Sequence, residues 1–148
     1  MLPEEKVIIR DAGPDDLGEI TLLMADLGYP TTVAEVQTRF NSIFVHPDYR
    51  TIVAVIGDEI VGVAGLCKGL YYEKNGLYLR ILVFVVKQSR QGLGIGKILI
   101  KACEDWALEQ GLGTILINSG NRDERRAAHA FYQKMGYDVK SSGFVKEL

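Results

Sequence analysis

The chain has 148 residues, 47% of them hydrophobic and 24% charged, with a formal net charge of −2. These values fit one globular domain spanning 1–148 with a real core, and they set aside intrinsic disorder. No basic excess is available to displace counterions, which sets aside a general nucleic-acid binder and leaves room for a cationic substrate.

No apolar run reaches membrane-spanning length, and the N-terminus lacks the basic-then-apolar pattern of a signal peptide. Cys67 and Cys103 fit no metal-ligand spacing, so no metal site is expected. Each sits in an apolar pattern and reads as a reduced core thiol of a cytoplasmic protein.

Lys6 to Arg10 reads as a first strand, broken at Asp11 to Pro14. Leu17, Ile20, Leu23 or Met24, and Leu27 recur at helical spacing, giving a first helix that ends at Gly28. Thr32 with Glu35 forms a capping box, and Val33, Val36 and Phe40 form the buried stripe of a second helix. From Thr51 the period changes to two. Thr51 to Ile56 and Glu59 to Leu66 are strands joined at Gly57-Asp58, the second able to extend to Tyr72. After the Asn75-Gly76 turn comes a third strand of this meander, ending in the apolar run Ile81 to Val86.

A Gly-rich turn (Gly92, Gly94, Gly96) follows, then a helix with Ile95, Ile98 or Leu99, Ala102, Cys103, Trp106 and Ala107 on one face. Thr114 to Asn118 is a short strand, expected parallel to its predecessor through a right-handed crossover. Asn121 with Glu124 can cap a last helix carrying Ala127, Ala128, Phe131 and Met135, stopped by Gly136. Tyr137 to Leu148 alternates loosely and reads as one or two strands. The order is βααβββαβαβ, an α/β (α+β) domain with a mixed, mostly antiparallel sheet.

Strand, glycine turn and helix together can hold a phosphate, because the first amides of a helix lack intrahelical partners. A Walker loop fails, since Gln91 stands at its first glycine position and Ile98 at its hydroxyl position. A dinucleotide fingerprint fails as well, since Lys97 occupies the third glycine position and the turn comes late in the chain. Gln91-Gly92-Leu93-Gly94-Ile95-Gly96 does meet the pattern Gln/Arg-x-x-Gly-x-Gly/Ala. Ala128-x-x-Phe131-Tyr132-x-x-x-Gly136-Tyr137 meets a second pattern, Ala-x-x-Leu/Phe-Tyr-x-x-x-Gly-Phe, with Tyr137 in its last place. With the element order, these two motifs resemble the GNAT N-acetyltransferase superfamily. The element order covers essentially the whole chain, and the motifs cover Ile81 to Lys97 and Ala128 to Tyr137.

The resemblance implies acetyl-CoA as co-substrate, a primary amine (a small-molecule amine or a protein lysine or N-terminus) as acceptor, a central parallel strand pair that splays to admit CoA, and a homodimer. It implies that Gln91, Gly92, Leu93, Gly94, Gly96 and Lys97 cradle the pyrophosphate. The main chain of Phe84 and Val86 would pair with the pantetheine, and the Phe84 N–H would face the thioester carbonyl. Tyr132 would be the general acid, since a phenol with an unperturbed pKa of about 10 arrives protonated. Phe131 would wall the pantetheine. Asn118, Arg122 and Arg125 would lie near the end of the parallel strand and the start of the last helix, and Arg125, where many members carry an asparagine that helps hold the cofactor, could reach a phosphate.

Packing alone explains Ile95, and Phe131 sits better than Tyr132 on the buried stripe of the last helix. Arg90 is a solvated charge or a phosphate contact, and His129 a local cap. Arg80 stands where some members carry a catalytic glutamate, and an arginine cannot be the base. Glu73, Asp26 and Glu35 are the alternatives, and none is assigned. Tyr29 and Glu73 are expected near the acceptor groove, between the first two helices and the C-terminal strands. The competing reading is a non-catalytic acyl-CoA-binding or regulatory module on the same fold.

Overall fold

The alternating sequence of the N-terminal half is realised as antiparallel pairing. The computed structural model describes residues 6–119 and 125–148. Strands β1 (Val7–Asp11), β2 (Tyr49–Ile56), β3 (Glu59–Leu70) and β4 (Leu77–Val86) pair in that order. The short β5 (Ile115–Ile117) lies beside β4 as its parallel neighbour, so the parallel pair stands at an edge of the described sheet. Helices α1 (Leu17–Leu27), α2 (Val33–Ile43), α3 (Ile95–Glu109) and α4 (Arg126–Lys134) complete the order. The residues group into two compact units, Met1–Leu116 and Ile117–Leu148.

In the first unit, successive strand residues point to opposite faces of the sheet. Val53, Val55, Val63 and Val85 form one cluster with Leu17, Ile20 and Leu23 of α1 and Val36 of α2. On the other face Gly62 lies against Leu99 of α3, and the Lys68 ammonium sits 5.4 Å from the Trp106 ring centre. Each fully buried Leu or Ile of these layers contributes about 1.5–3 kcal/mol. A bidentate pair, Arg10 to Asp16 at 2.8 and 2.9 Å, ties β1 to the turn that opens α1. The Arg10 guanidinium holds the Asp16 carboxyl below its ordinary range.

Several boundaries and faces differ from the sequence reading. β2 begins at Tyr49, whereas β3 runs to Leu70, within the extension to Tyr72 that the sequence allows, because Lys68, Gly69 and Leu70 stay paired with Leu79, Tyr78 and Leu77 of β4. Val33 is exposed, since the Thr32 cap leaves the first turn of α2 beyond the edge of the cluster. On α3, Leu99 is buried and Ile98 is 40% exposed. No strand forms over 137–148. There Ser141, Ser142 and Gly143 break the alternation, and Val139, Phe144 and Val145 stand exposed. Arg122 and the Asn121–Glu124 cap lie outside the described residues.

Candidate active site

The glycine turn leads into α3 through two left-handed residues. Gly92 and Gly94 have φ of 81° and 82°, a left-handed conformation open to glycine at little cost. Gly94 caps α3 without any side-chain hydrogen bond, and the Ile98 amide makes the first intrahelical bond back to the Gly94 carbonyl. The amides of Ile95, Gly96 and Lys97 therefore have no intrahelical acceptor and stand at the positive end of the helix. Nothing lies within 4 Å of a Cβ built on Gly92 or Gly94, so the approach is open. Lys97 is exposed, with no ion pair among the described residues. Ile95 is buried, as packing alone requires, and fixes the turn to the core.

A network the sequence does not announce holds the link from β4 to this turn. Glu59, at the start of β3, accepts from Lys87 Nζ at 2.6 Å and from Arg90 Nη2 at 2.7 Å. Lys87 first, then Arg90, holds the Glu59 carboxyl below its ordinary value. Arg90 is thus an ion-pair partner rather than a solvated charge. The Gln88 amide donates to Asp26 Oδ2 at 3.0 Å, so Asp26 anchors the link to α1. Gln91 Nε2 donates to the Val86 carbonyl at 3.3 Å, joining two predicted cofactor residues. Glu59 is remote in sequence from its partners, and only the β3–β4 pairing brings it there.

β4 changes phase in its middle. The Leu79 amide donates to the Thr114 carbonyl, toward β5, while the Lys87 amide donates to the Val61 carbonyl of β3. Leu79 and Lys87 are an even number of positions apart, so regular alternation would turn both amides the same way. The register shift explains the flip. Ile81 faces Leu66 and Val83 faces Gly65, leaving Leu82 unmatched as a bulge. By the same alternation, the Phe84 and Val86 amides beyond it turn to the β5 side. β4 also runs on to Val86 while β5 stops at Ile117.

The bulge reorganises the α1/α2 face too. Arg80 pairs with Cys67, which pairs with Tyr49, and this row lies on that face. Cys67 beside it, then burial, pushes the Tyr49 phenol above its ordinary value. The next row is Thr51, Gly65 and Val83. Above it lies a cavity of about 140 Å³, walled by Met24, Phe40 and Ile43 from the helices and Val63, Leu82 and Val83 from the sheet. Arg80 is exposed, with no ion pair among the described residues. Tyr29 stands exposed just after α1, and Glu73 is exposed in the turn before β4. Neither lines the cavity. Glu35 is engaged by its helix cap and by Arg39 at 3.9 Å.

The second unit carries the other candidates. Arg125 Nε donates to Ser119 Oγ at 3.4 Å, and His129 Nε2 lies 3.0 Å from the same oxygen. Both side chains thus tie the start of α4 to the segment after β5, where Asn118 is exposed. The expected order of burial on α4 is reversed: Tyr132 is 7% exposed, whereas Phe131 is only partly covered. The Tyr132 ring packs edge-on to Phe131 at 5.7 Å and to Tyr137 at 6.3 Å, and its carbonyl accepts from the Tyr137 amide. The chain reverses at Gly136 and folds Tyr137 back over the phenol, a contact invisible to helical spacing. Among the described residues, no group of three or more His, Cys, Asp or Glu could hold a metal ion, and no helix is long and apolar enough to cross a membrane.

A family model described as Acetyltransferase (GNAT) family matches residues 19–137. An uncharacterized N-acetyltransferase of Bacillus subtilis is 38% identical over 75 residues. That match spans 50% of this chain and 51% of the relative, about half the length of that curated protein. The crystal structure of a GNAT family acetyltransferase from Staphylococcus aureus is 33% identical, with a TM-score of 0.83 over 96% of this chain and 98% of that one. An aminoglycoside N-acetyltransferase in complex with CoA is 14% identical and shares the fold, with a TM-score of 0.83 over 100% of this chain and 99% of that one.

Proposed function

The chain belongs to the GNAT acetyltransferase family, and on that premise we propose that it transfers the acetyl group of acetyl-CoA to a primary amine, by direct attack and without a covalent enzyme intermediate. The observation that carries this reading is the glycine turn. Two left-handed glycines open onto an α3 N-terminus that has no side-chain cap. In this reading acetyl-CoA supplies the acetyl group as a thioester. The amides of the Gly92–Lys97 turn bind the pyrophosphate, and the β4 edge at Phe84 and Val86 binds the pantetheine. The Phe84 amide, turned outward by the Leu82 bulge, donates to the thioester oxygen and stabilises the charge that develops there. The amine nitrogen forms the new C–N bond as the C–S bond breaks, and the Tyr132 hydroxyl gives its proton to the leaving sulfur. Asp26 and Glu35 are engaged elsewhere, which leaves Glu73 or water to take the proton that the amine loses.

Thiol release from acetyl-CoA across a broad amine panel tests the transferase. Stabilisation by acetyl-CoA but not by ATP or NAD tests the cofactor. Arg80, standing where a catalytic carboxylate could be, favours the second reading, a non-catalytic acyl-CoA-binding module. Binding of CoA with no thiol released for any amine would select that second reading.

A further inference from the structure

The cavity on the α1/α2 face has a cause in the sequence. Its floor is the cross-strand row Thr51, Gly65 and Val83, and the middle residue has no side chain. A Cβ built on Gly65 would meet Val83 Cβ at 3.5 Å, an ordinary contact, so a side chain would fit there and its absence leaves the space. Glycine inside a strand weakens it and accompanies bulges and close approaches of a ligand or backbone; here it adjoins the Leu82 bulge and leaves open space above it. The space is about 140 Å³, and a cavity of roughly 150 Å³ with apolar walls holds benzene.

Position and charge narrow the occupant. Val83 and Leu82 wall the cavity and immediately precede Phe84, whose amide serves the thioester in the reading above. No carboxylate is among the lining residues, so a second cationic group would find no counter-charge. Of the polar lining groups, Arg39 is held by Thr31 and Glu35, and Tyr49 by Cys67. Arg80 ends the neighbouring row on the same face and has no ion pair among the described residues. We propose that the acceptor is a primary amine bearing both a compact apolar group, which fills the cavity over Gly65, and a carboxylate, which pairs with Arg80. Hydrophobic α-amino acids are the simplest members of this class. The proposal rests on the transferase reading and replaces the cationic substrate that net charge leaves open.

The experiment compares kcat/KM for L-phenylalanine, L-alanine, phenethylamine and spermidine in the wild type, Gly65→Val and Arg80→Gln. Phenylalanine should exceed alanine and spermidine at least tenfold. Gly65→Val should abolish the preference for phenylalanine over alanine while acetyl-CoA binding is kept. Arg80→Gln should cost phenylalanine at least tenfold and phenethylamine less than twofold. Should Gly65→Val fail to fold, Ile43→Trp fills the same space from the half-exposed α2 wall and carries the same expectation. Spermidine as the best acceptor, or equal losses for all acceptors in the filling variant, overturns the subsite and leaves the transferase standing. Calorimetry with N-acetyl-L-phenylalanine and CoA reads binding without turnover. If no thiol is released but this compound binds, and Gly65→Val abolishes that binding, the subsite stands and the transferase falls. If nothing binds and nothing turns over, both fall.

Discussion

Gly94→Ala separates the backbone role of the glycine turn from its role in binding. The variant puts a methyl group on a residue with φ of 82°. Left-handed backbone costs an L-residue roughly 1–2 kcal/mol. Nothing lies within 4 Å of the new Cβ, so no clash adds to that cost. Gly57, in the turn between β2 and β3, has φ of 61° and equally open surroundings. Gly57→Ala thus carries the same backbone cost away from the proposed cradle. Both variants should lower Tm by roughly 2–8 °C for a chain of this size. Only Gly94→Ala should also raise the acetyl-CoA Kd, because its methyl stands where a phosphate must pass to reach the amides of Ile95, Gly96 and Lys97. A loss of at least tenfold, about 1.4 kcal/mol, is expected. Calorimetry gives Kd and thermal denaturation gives Tm. Equal Kd in both variants, alongside the expected fall in Tm, would remove the glycine turn from the binding site.

Tyr132→Phe should lower kcat by about 10²-fold and leave the acetyl-CoA Kd unchanged, and an unaltered kcat would exclude the phenol as general acid. Glu59→Gln should loosen the link held by Lys87 and Arg90 and raise the acetyl-CoA Kd. Because the folded-state pKa of Glu59 is lowered, its stabilisation is fully present above the ordinary value of 4.5 and is lost as pH falls through the folded value. The Tm difference between wild type and Glu59→Gln should therefore be constant at neutral pH and close in acid, and a difference that widened in acid would contradict the ion pairs. Cys103 is buried, and burial first, then Glu104, pushes its thiol up to about 12. Iodoacetamide on the native protein at pH 8 should thus label the partly exposed Cys67 alone by mass spectrometry, with Cys103 reacting only after denaturation.

What the chain determines by itself is what short stretches encode. Left-handed turns need glycine, so Gly92 and Gly94 fix the shape of the cradle in residue type. Period-two runs give the meander, and helical spacing gives α1 and α3, because backbone preference and apolar pattern agree locally. The candidate cofactor site is legible for that reason, lying almost wholly in one contiguous stretch. What only the tertiary structure decided depends on neighbours far apart in sequence. The Leu82 bulge shows in no pattern of β4. It is a relation between β4 and β3, and it alone turns the Phe84 amide outward. Gly65 reads as one more strand residue until Thr51 and Val83 are placed on either side of it. Glu59 becomes an anchor, and Tyr132 the buried aromatic of α4, through contacts made after the chain reverses. Residue type sets local backbone geometry, whereas strand register and reversal of the chain set which side chains meet. The glycine turn could therefore be read from the sequence, and the cavity over Gly65 could not.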